Sequence, residues 1–108
     1  MITKGNLQNV LNKAKQVQER LEAAQAELEK LEIEAQAGGG MVVARVTGKQ
    51  ELVSIKIDPK VLAEDVEMVE DLVVAAVNQA LRTANEESQK RLSAISGGIL
   101  SSLGSVNA

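Results

Sequence analysis

The chain has 108 residues, 44% of them hydrophobic, and a net charge of −3, which bounds it to one small domain with enough apolar content for a core. It contains no Cys, no His and no aromatic residue. A disulfide framework and any thiolate or imidazole metal site are therefore excluded, and the candidate catalytic groups shrink to Ser, Thr, Lys and carboxylates. A core without aromatics buries little area per residue, which favours pairing with a second copy.

The N-terminal stretch MITKGNLQNVLNKAK has no apolar h-region, so no signal peptide is expected. Leu7, Ala14, Leu21 and Leu28 recur every seven residues, and Val10, Val17, Ala24 and Leu31 do so in the offset between them. This pattern predicts a helix from Thr3 or Asn6 to Lys30, on the order of 40 Å long at 1.5 Å per residue. So long a rod is expected to project beyond any compact body. LEIEA (31–35) then alternates apolar and charged residues as a strand does, although its glutamates also suit a helix. Gly38, Gly39 and Gly40 supply a turn, and MVVARVT (41–47) and ELVSIKI (51–57) read as two further strands of an antiparallel meander.

Asp58-Pro59 has the form of an N-cap followed by proline at the first helical position. The second long helix is predicted to begin near Asp65, with Val69, Leu72, Val73, Ala76, Val77, Ala80, Leu81 and Ala84 as its apolar stripe. Gly97-Gly98 is predicted to end it, leaving residues 96–108 as a flexible tail on a domain of residues 1–95. That charge-free tail is too short and too polar to span a bilayer, and no membrane partner is expected.

Charge is unevenly distributed along the chain. Residues 1–20 hold four bases and one acid, whereas residues 61–81 hold five acids and no base. If the two long helices pack antiparallel, the basic start of the first lies near the basic end of the second, far from the acidic middle. Local field matters more than net charge for binding a polyanion. Lys4, Lys13 and Lys15 also sit toward a helix N-terminus, where the macrodipole disfavours positive charge, so a partner outside the chain gains weight as a reason for them beside an ordinary solvated face. Lys4, Lys13, Lys15 and Arg20, with Arg82, Lys90 and Arg91 from the second helix, are the candidate DNA-binding residues. A second reading remains open: in the heptad register two antiparallel copies would set Lys13 against Glu34 and Arg20 against Glu27, as a dimer seam.

Other chemistry finds little support. Glu64, Asp65 and Glu67 match no calcium loop and suit a helix start, and the glycine triplet lacks the Lys-Ser/Thr of a phosphate loop. No cofactor and no small-molecule substrate are expected. The lack of aromatics removes base stacking, the main means of gripping single strands. What remains is contact with duplex phosphates, which positions a protein on DNA with little sequence information. Gln8, Asn12, Gln16 and Gln18 are within range of base edges, or are simply a solvated helix face.

LQNVLNKAKQVQERL, GGGMVVARVTG, IKIDPKVL and DVEMVEDLVVAAVNQALRTANEE, in this order and spacing, resemble the YbaB/EbfC family of bacterial nucleoid-associated proteins over roughly Lys4 to Leu92. The resemblance implies an α+β protein of order α-β-β-β-α, forming a tweezer-like homodimer with projecting helical arms. It implies binding of double-stranded DNA through the first and last helices, in the cytoplasm and on the nucleoid. It also implies roles in gene regulation, nucleoid organisation or repair, with recombination mediators as possible partners; an adaptor serving such proteins without touching DNA is the alternative. The chain departs from the family pattern at Thr47-Gly48, where Asn-Gly is common. It departs again in its tail SGGILSSLGSVNA, which lacks the family's Pro, Met and Phe.

Overall fold

In the computed structural model the backbone is described over residues 3–106 and side chains through residue 97. The element order is α1 (Lys4–Lys30), β1 (Glu32–Ala37), β2 (Val42–Thr47), β3 (Leu52–Ile57), a 3₁₀ turn (Pro59–Ala63) and α2 (Val66–Val106). This is the expected α-β-β-β-α order, and the 31–35 segment resolves as strand. Thr3 caps α1, its Oγ1 accepting from the Asn6 N–H at 3.2 Å. Asp58 caps the 3₁₀ turn by accepting from the Lys60 N–H at 2.9 Å, with Pro59 at the first helical position.

The three strands form one antiparallel sheet of order β1-β2-β3, with β2 central. Gly38, Gly39 and Gly40 all have positive φ, a run of left-handed residues that side-chain-bearing residues resist, and they reverse the chain from β1 into β2. Alternation along β2 buries Val42, Ala44 and Val46 under α2 and turns Val43, Arg45 and Thr47 to the other face. The core is these three with Ala35 and the α2 alanines Ala76, Ala80 and Ala84. Small residues on both surfaces let the helix approach the sheet closely, so this core needs no aromatics.

α2 packs on β1 and β2 and makes no comparable contact with β3. The register places Ile55 and Ile57 opposite the buried Ala44 and Val42, on the same face of the sheet. Leu52, Val53, Ile55 and Ile57 are nevertheless exposed, an apolar edge with no cover from its own chain.

The molecule measures 73 × 23 × 16 Å, which confirms an elongated shape. Neither long helix fits across the short dimensions, so both run along the long axis. Glu27 of α1 meets Arg91 of α2, and α1 touches the sheet only slightly. α1 therefore runs away from the sheet, antiparallel to the second half of α2. One expectation is corrected: α2 does not stop at Gly97-Gly98 but continues as helix to Val106. Glycine in a helix interior costs about 1 kcal/mol relative to alanine, without the lost hydrogen bond and clash that proline imposes. From residue 98 on, the side chains of the expected tail lie outside the described residues.

Candidate nucleic-acid interface

Helix α1 carries Lys4, Lys13, Lys15 and Arg20, all exposed. Its buried side is short: Ala24 and Leu28 are buried and Val17 and Leu21 are partly covered. Toward the tip the seam lies open, with Leu7 49%, Val10 58% and Leu11 55% exposed. The heptad pattern thus runs the full length of α1, but only its last half is covered within one chain.

The four bases do not share a face. At 3.6 residues per turn, Lys4 and Lys15 fall within about 20° of each other and about 17 Å apart along the axis. Lys13 and Arg20 form a second pair, about 160° around the helix from the first. Gln8 and Asn12 lie beside Lys4 and Lys15, and the Gln8 amide donates to Asn12 Oδ1 at 3.3 Å. Gln18 is turned toward Glu22, its amide donating at 3.5 Å.

The α2 bases are placed differently from one another. Arg91 is half-buried, its Nη1 3.3 Å from Glu27 and its Nε 3.4 Å from Glu87. It ties α1 to α2 at the root of the arm and is already occupied by carboxylates. Lys90 is exposed next to it. Arg82 is exposed on α2 with its Nη2 donating to Gln79 Oε1 at 3.0 Å. Taking Glu27 and Arg91 as level, Lys4 lies about 35 Å toward the tip and Arg82 about 13 Å toward the sheet, at 1.5 Å per residue. The structure therefore brings Lys4, Lys13, Lys15 and Arg20 onto one arm, leaves Lys90 and Arg91 at its root, and sets Arg82 far from the tip.

The remaining ion pairs explain where the acids go. Lys49 Nζ binds Glu29 at 2.8 Å. Arg45 pairs with Glu34 across the β1–β2 ladder and, at 3.6 Å, with Glu32. The Lys49 hydrogen bond and charge hold the Glu29 carboxyl below its usual range. Arg45 does the same to Glu34, and its own guanidinium is pushed up in return. Four of the five acids between residues 21 and 40, Glu27, Glu29, Glu32 and Glu34, are thus matched by bases of the body and of α2. Among the described residues, no carboxylate pairs with Lys4, Lys13, Lys15 or Arg20. The antiparallel dimer seam expected as a second reading loses its acids: Glu34 lies in β1 with Arg45, and Glu27 is held by Arg91.

Outside the arm, the outer sheet face has a shallow hollow of about 220 Å³ lined by Glu34, Val43, Arg45, Ser54 and Lys56. It falls below the usual size of a ligand pocket, and its Arg45–Glu34 pair is mutually satisfied. Among the described residues, no group of three or more acids is arranged to hold a metal ion, and no helix is long and apolar enough to cross a membrane.

The chain is thus a small α+β protein, an α-β-β-β-α body carrying a long helical arm along which four exposed bases have no described carboxylate partner. The family model of the YbaB/EbfC DNA-binding family matches residues 4–99, and the chain belongs to that family. It is 50% identical over 95 residues to a nucleoid-associated protein of Thermoanaerobacter pseudethanolicus, covering 87% of this chain and 86% of that one. It is 44% identical over 95 residues to a nucleoid-associated protein of Alkaliphilus metalliredigens, covering 87% and 83%. Among solved structures, an uncharacterized protein of Helicobacter pylori shares the fold with a TM-score of 0.67 and 24% identity, over 86% of this chain and 95% of that one.

Proposed function

We propose that the protein is a homodimeric, non-enzymatic binder of double-stranded DNA whose arms grip phosphates. The observation that carries this reading is the arm itself. Four bases are exposed there and unpaired with any described carboxylate, while Arg45, Lys49 and Arg91 are consumed by internal pairs. A base that has no partner within its own chain, at the end of a projecting helix, is free to displace counterions from DNA. Lys4 and Lys15, which share one face of α1, supply the main contacts, Lys13, Arg20, Lys90 and Arg82 lesser ones, and Arg91 acts by holding the arm.

The dimer is supported by the apolar edge of Leu52, Val53, Ile55 and Ile57, which a second copy would cover. With residues 1–95 as the working domain, such a dimer presents two arms to one duplex. Its setting is the cytoplasm and the nucleoid, in organising DNA, regulating genes or assisting repair. A second reading has one specific observation behind it. The bare stripe of Leu7, Val10 and Leu11 is spaced as a helix-binding face, so a recombination mediator or similar protein would lie there with the chain as adaptor.

Fluorescence anisotropy of labelled duplex separates the two. About five phosphate contacts per dimer give a slope of log K against log salt of roughly −4 to −5, so affinity drops several hundred-fold between about 50 and 200 mM. Lys13→Glu with Lys15→Glu should abolish much of this, whereas Lys56→Glu with Lys60→Glu should not. Absence of binding even at the lower salt would remove DNA as the direct ligand and leave the adaptor.

A further inference from the structure

We propose that the β2–β3 turn and Arg91 form a lock that sets the direction of the arm, and through it the length of duplex that a dimer spans. The second half of this statement rests on the DNA-binding reading above. The arm has a simple covalent joint: α1 ends at Lys30, β1 begins at Glu32, and the single residue between them, Leu31, is extended with φ −72 and ψ 126. One such residue leaves two soft dihedrals, which alone would let a 27-residue helix swing.

The turn removes that freedom. The Gly48 N–H donates to Leu28 O at 2.9 Å and to Leu31 O at 3.0 Å, satisfying carbonyls at the end of α1 that have no partner in their own helix. The approach is so close that a Cβ on Gly48 would lie 2.7 Å from Leu28 O and 2.9 Å from Leu28 Cδ2. Glycine is required here for space rather than for a left-handed backbone. Next in the chain, Lys49 Nζ holds Glu29 of α1 at 2.8 Å. Gln50 then reaches the other helix, its amide donating to Leu81 O of α2 at 3.4 Å.

Three successive residues of one turn thus hold both long helices at the level where the arm leaves the body. The turn is itself braced. Thr47 Oγ1 accepts from the Lys49 and Glu51 N–H groups at 3.2 and 3.3 Å, and the Thr47 N–H donates to Glu51 O at 2.8 Å. Gln50 takes the left-handed conformation, φ 64, that aims its side chain away from Lys49's. Arg91, bridging Glu27 and Glu87, is the second point of attachment. The two attachments lie at nearly one level but on different sides of α1, Glu27 and Glu29 being about 160° apart around it, so together they resist tilting as well as displacement.

The lever is long. From Leu28 to Lys4 the arm extends about 36 Å, so a tilt of about 5° at the root moves the tip by about 3 Å. In a dimer both tips move, and the separation between phosphate contacts changes with them. Gly48, Lys49, Gln50 and Arg91 are accordingly positioning residues: they touch no DNA but decide where the tip bases stand.

The absence of cysteine allows a direct test. The full chain carrying Asn9→Cys and Lys56→Cys takes spin labels on the arm and on the outer sheet face. Diluted into excess unlabelled chain, it reports the arm-to-sheet distance within one chain by pulsed electron resonance. Gly48→Ala, Gln50→Ala, Lys49→Glu and Arg91→Gln are each expected to broaden that distribution and move its centre by about 3 Å or more, whereas Lys15→Gln leaves it unchanged. Without labels, on duplexes of graded length, the lock variants should change the shortest duplex bound and keep the native salt slope. Lys15→Gln should do the reverse.

Should Gly48→Ala fail to fold by circular dichroism, the exposed Lys49 and Gln50 variants with Arg91→Gln decide the matter. Folded lock variants with a native distance distribution would overturn the lock. A shifted distribution with an unchanged duplex requirement would overturn its link to span. A shifted distribution in a protein whose native form binds no duplex would leave the lock standing and remove the DNA reading instead.

Discussion

The two faces of α1 make opposite predictions about which bases meet the duplex. Lys4 and Lys15 lie on one side of the helix, Lys13 and Arg20 about 160° away, and a single rigid helix lays only one side against a given duplex. In a dimer each substitution removes two side chains, so neutralising a pair removes four potential phosphate contacts. At about 0.9 per phosphate, loss of four contacts reduces the salt slope by roughly 3.6. Lys4→Gln with Lys15→Gln is expected to show this loss, because that pair faces away from the α2 side of the arm, while Lys13→Gln with Arg20→Gln flattens the slope far less.

The assay is anisotropy of one duplex with each pair across a series of salt concentrations. Between about 50 and 200 mM, a slope change of roughly 3.6 makes the salt effect on affinity some 150-fold weaker, well outside experimental scatter. Glutamine keeps most of each side chain's length and its hydrogen bonding, so the slope isolates charge. Equal, partial loss from both pairs would refute the one-face argument and mean that DNA passes between arms rather than along one side. An unchanged slope for both would refute the arm as the grip.

Two other outcomes test the fold. Gly97→Ala, where an added Cβ meets nothing within 4 Å, should stabilise α2 by about 1 kcal/mol and raise Tm by a few degrees, because position 97 is helix interior; no change in thermal unfolding would mean that the helix ends there instead. Glu34 has its folded pKa lowered from 4.5 by Arg45, so its contribution is present above that value and lost as pH falls through the lower folded one. Urea unfolding should therefore show stability falling below about pH 4.5, with a shallower fall in Glu34→Gln, and a wild-type slope in that variant would remove the pair from the account.

Local features of the sequence were sufficient for the element order. A heptad stripe, three glycines in a row, β-branched runs and Asp58-Pro59 each act within a few residues, and each element formed where its own pattern pointed. The exception was Gly97-Gly98, where a strong local breaker sits inside a longer helix. The candidate site was legible only in part. That Lys4 and Lys15 share a face follows from their spacing, but Arg91 reads from sequence as one more base near a C-terminus. Its partner Glu27 is 64 residues away, and no short-range signal links them. The same distance effect hid the second role of Gly48, which lies in the β2–β3 turn and also makes room for Leu28.

The ion pairs also change what the acidic net charge means. Glu27, Glu29, Glu32 and Glu34 are engaged by Arg91, Lys49 and Arg45 around the base of α1. Such exposed pairs add little stability singly, typically below about 1 kcal/mol. Their larger effect is on where uncompensated charge remains. By engaging Arg45, Lys49 and Arg91, they leave the bases farther along the arm, Lys4, Lys13, Lys15 and Arg20, among those with no described carboxylate partner. The first turn of α1 has no acid, so the tip accepts an unfavourable helix-dipole interaction of about 0.3–1 kcal/mol for each base near it. A phosphate brought to Lys4 would relieve that penalty as well as neutralise the base. The unfavourable dipole term at the tip and the phosphate binding proposed for it would thus have one physical origin.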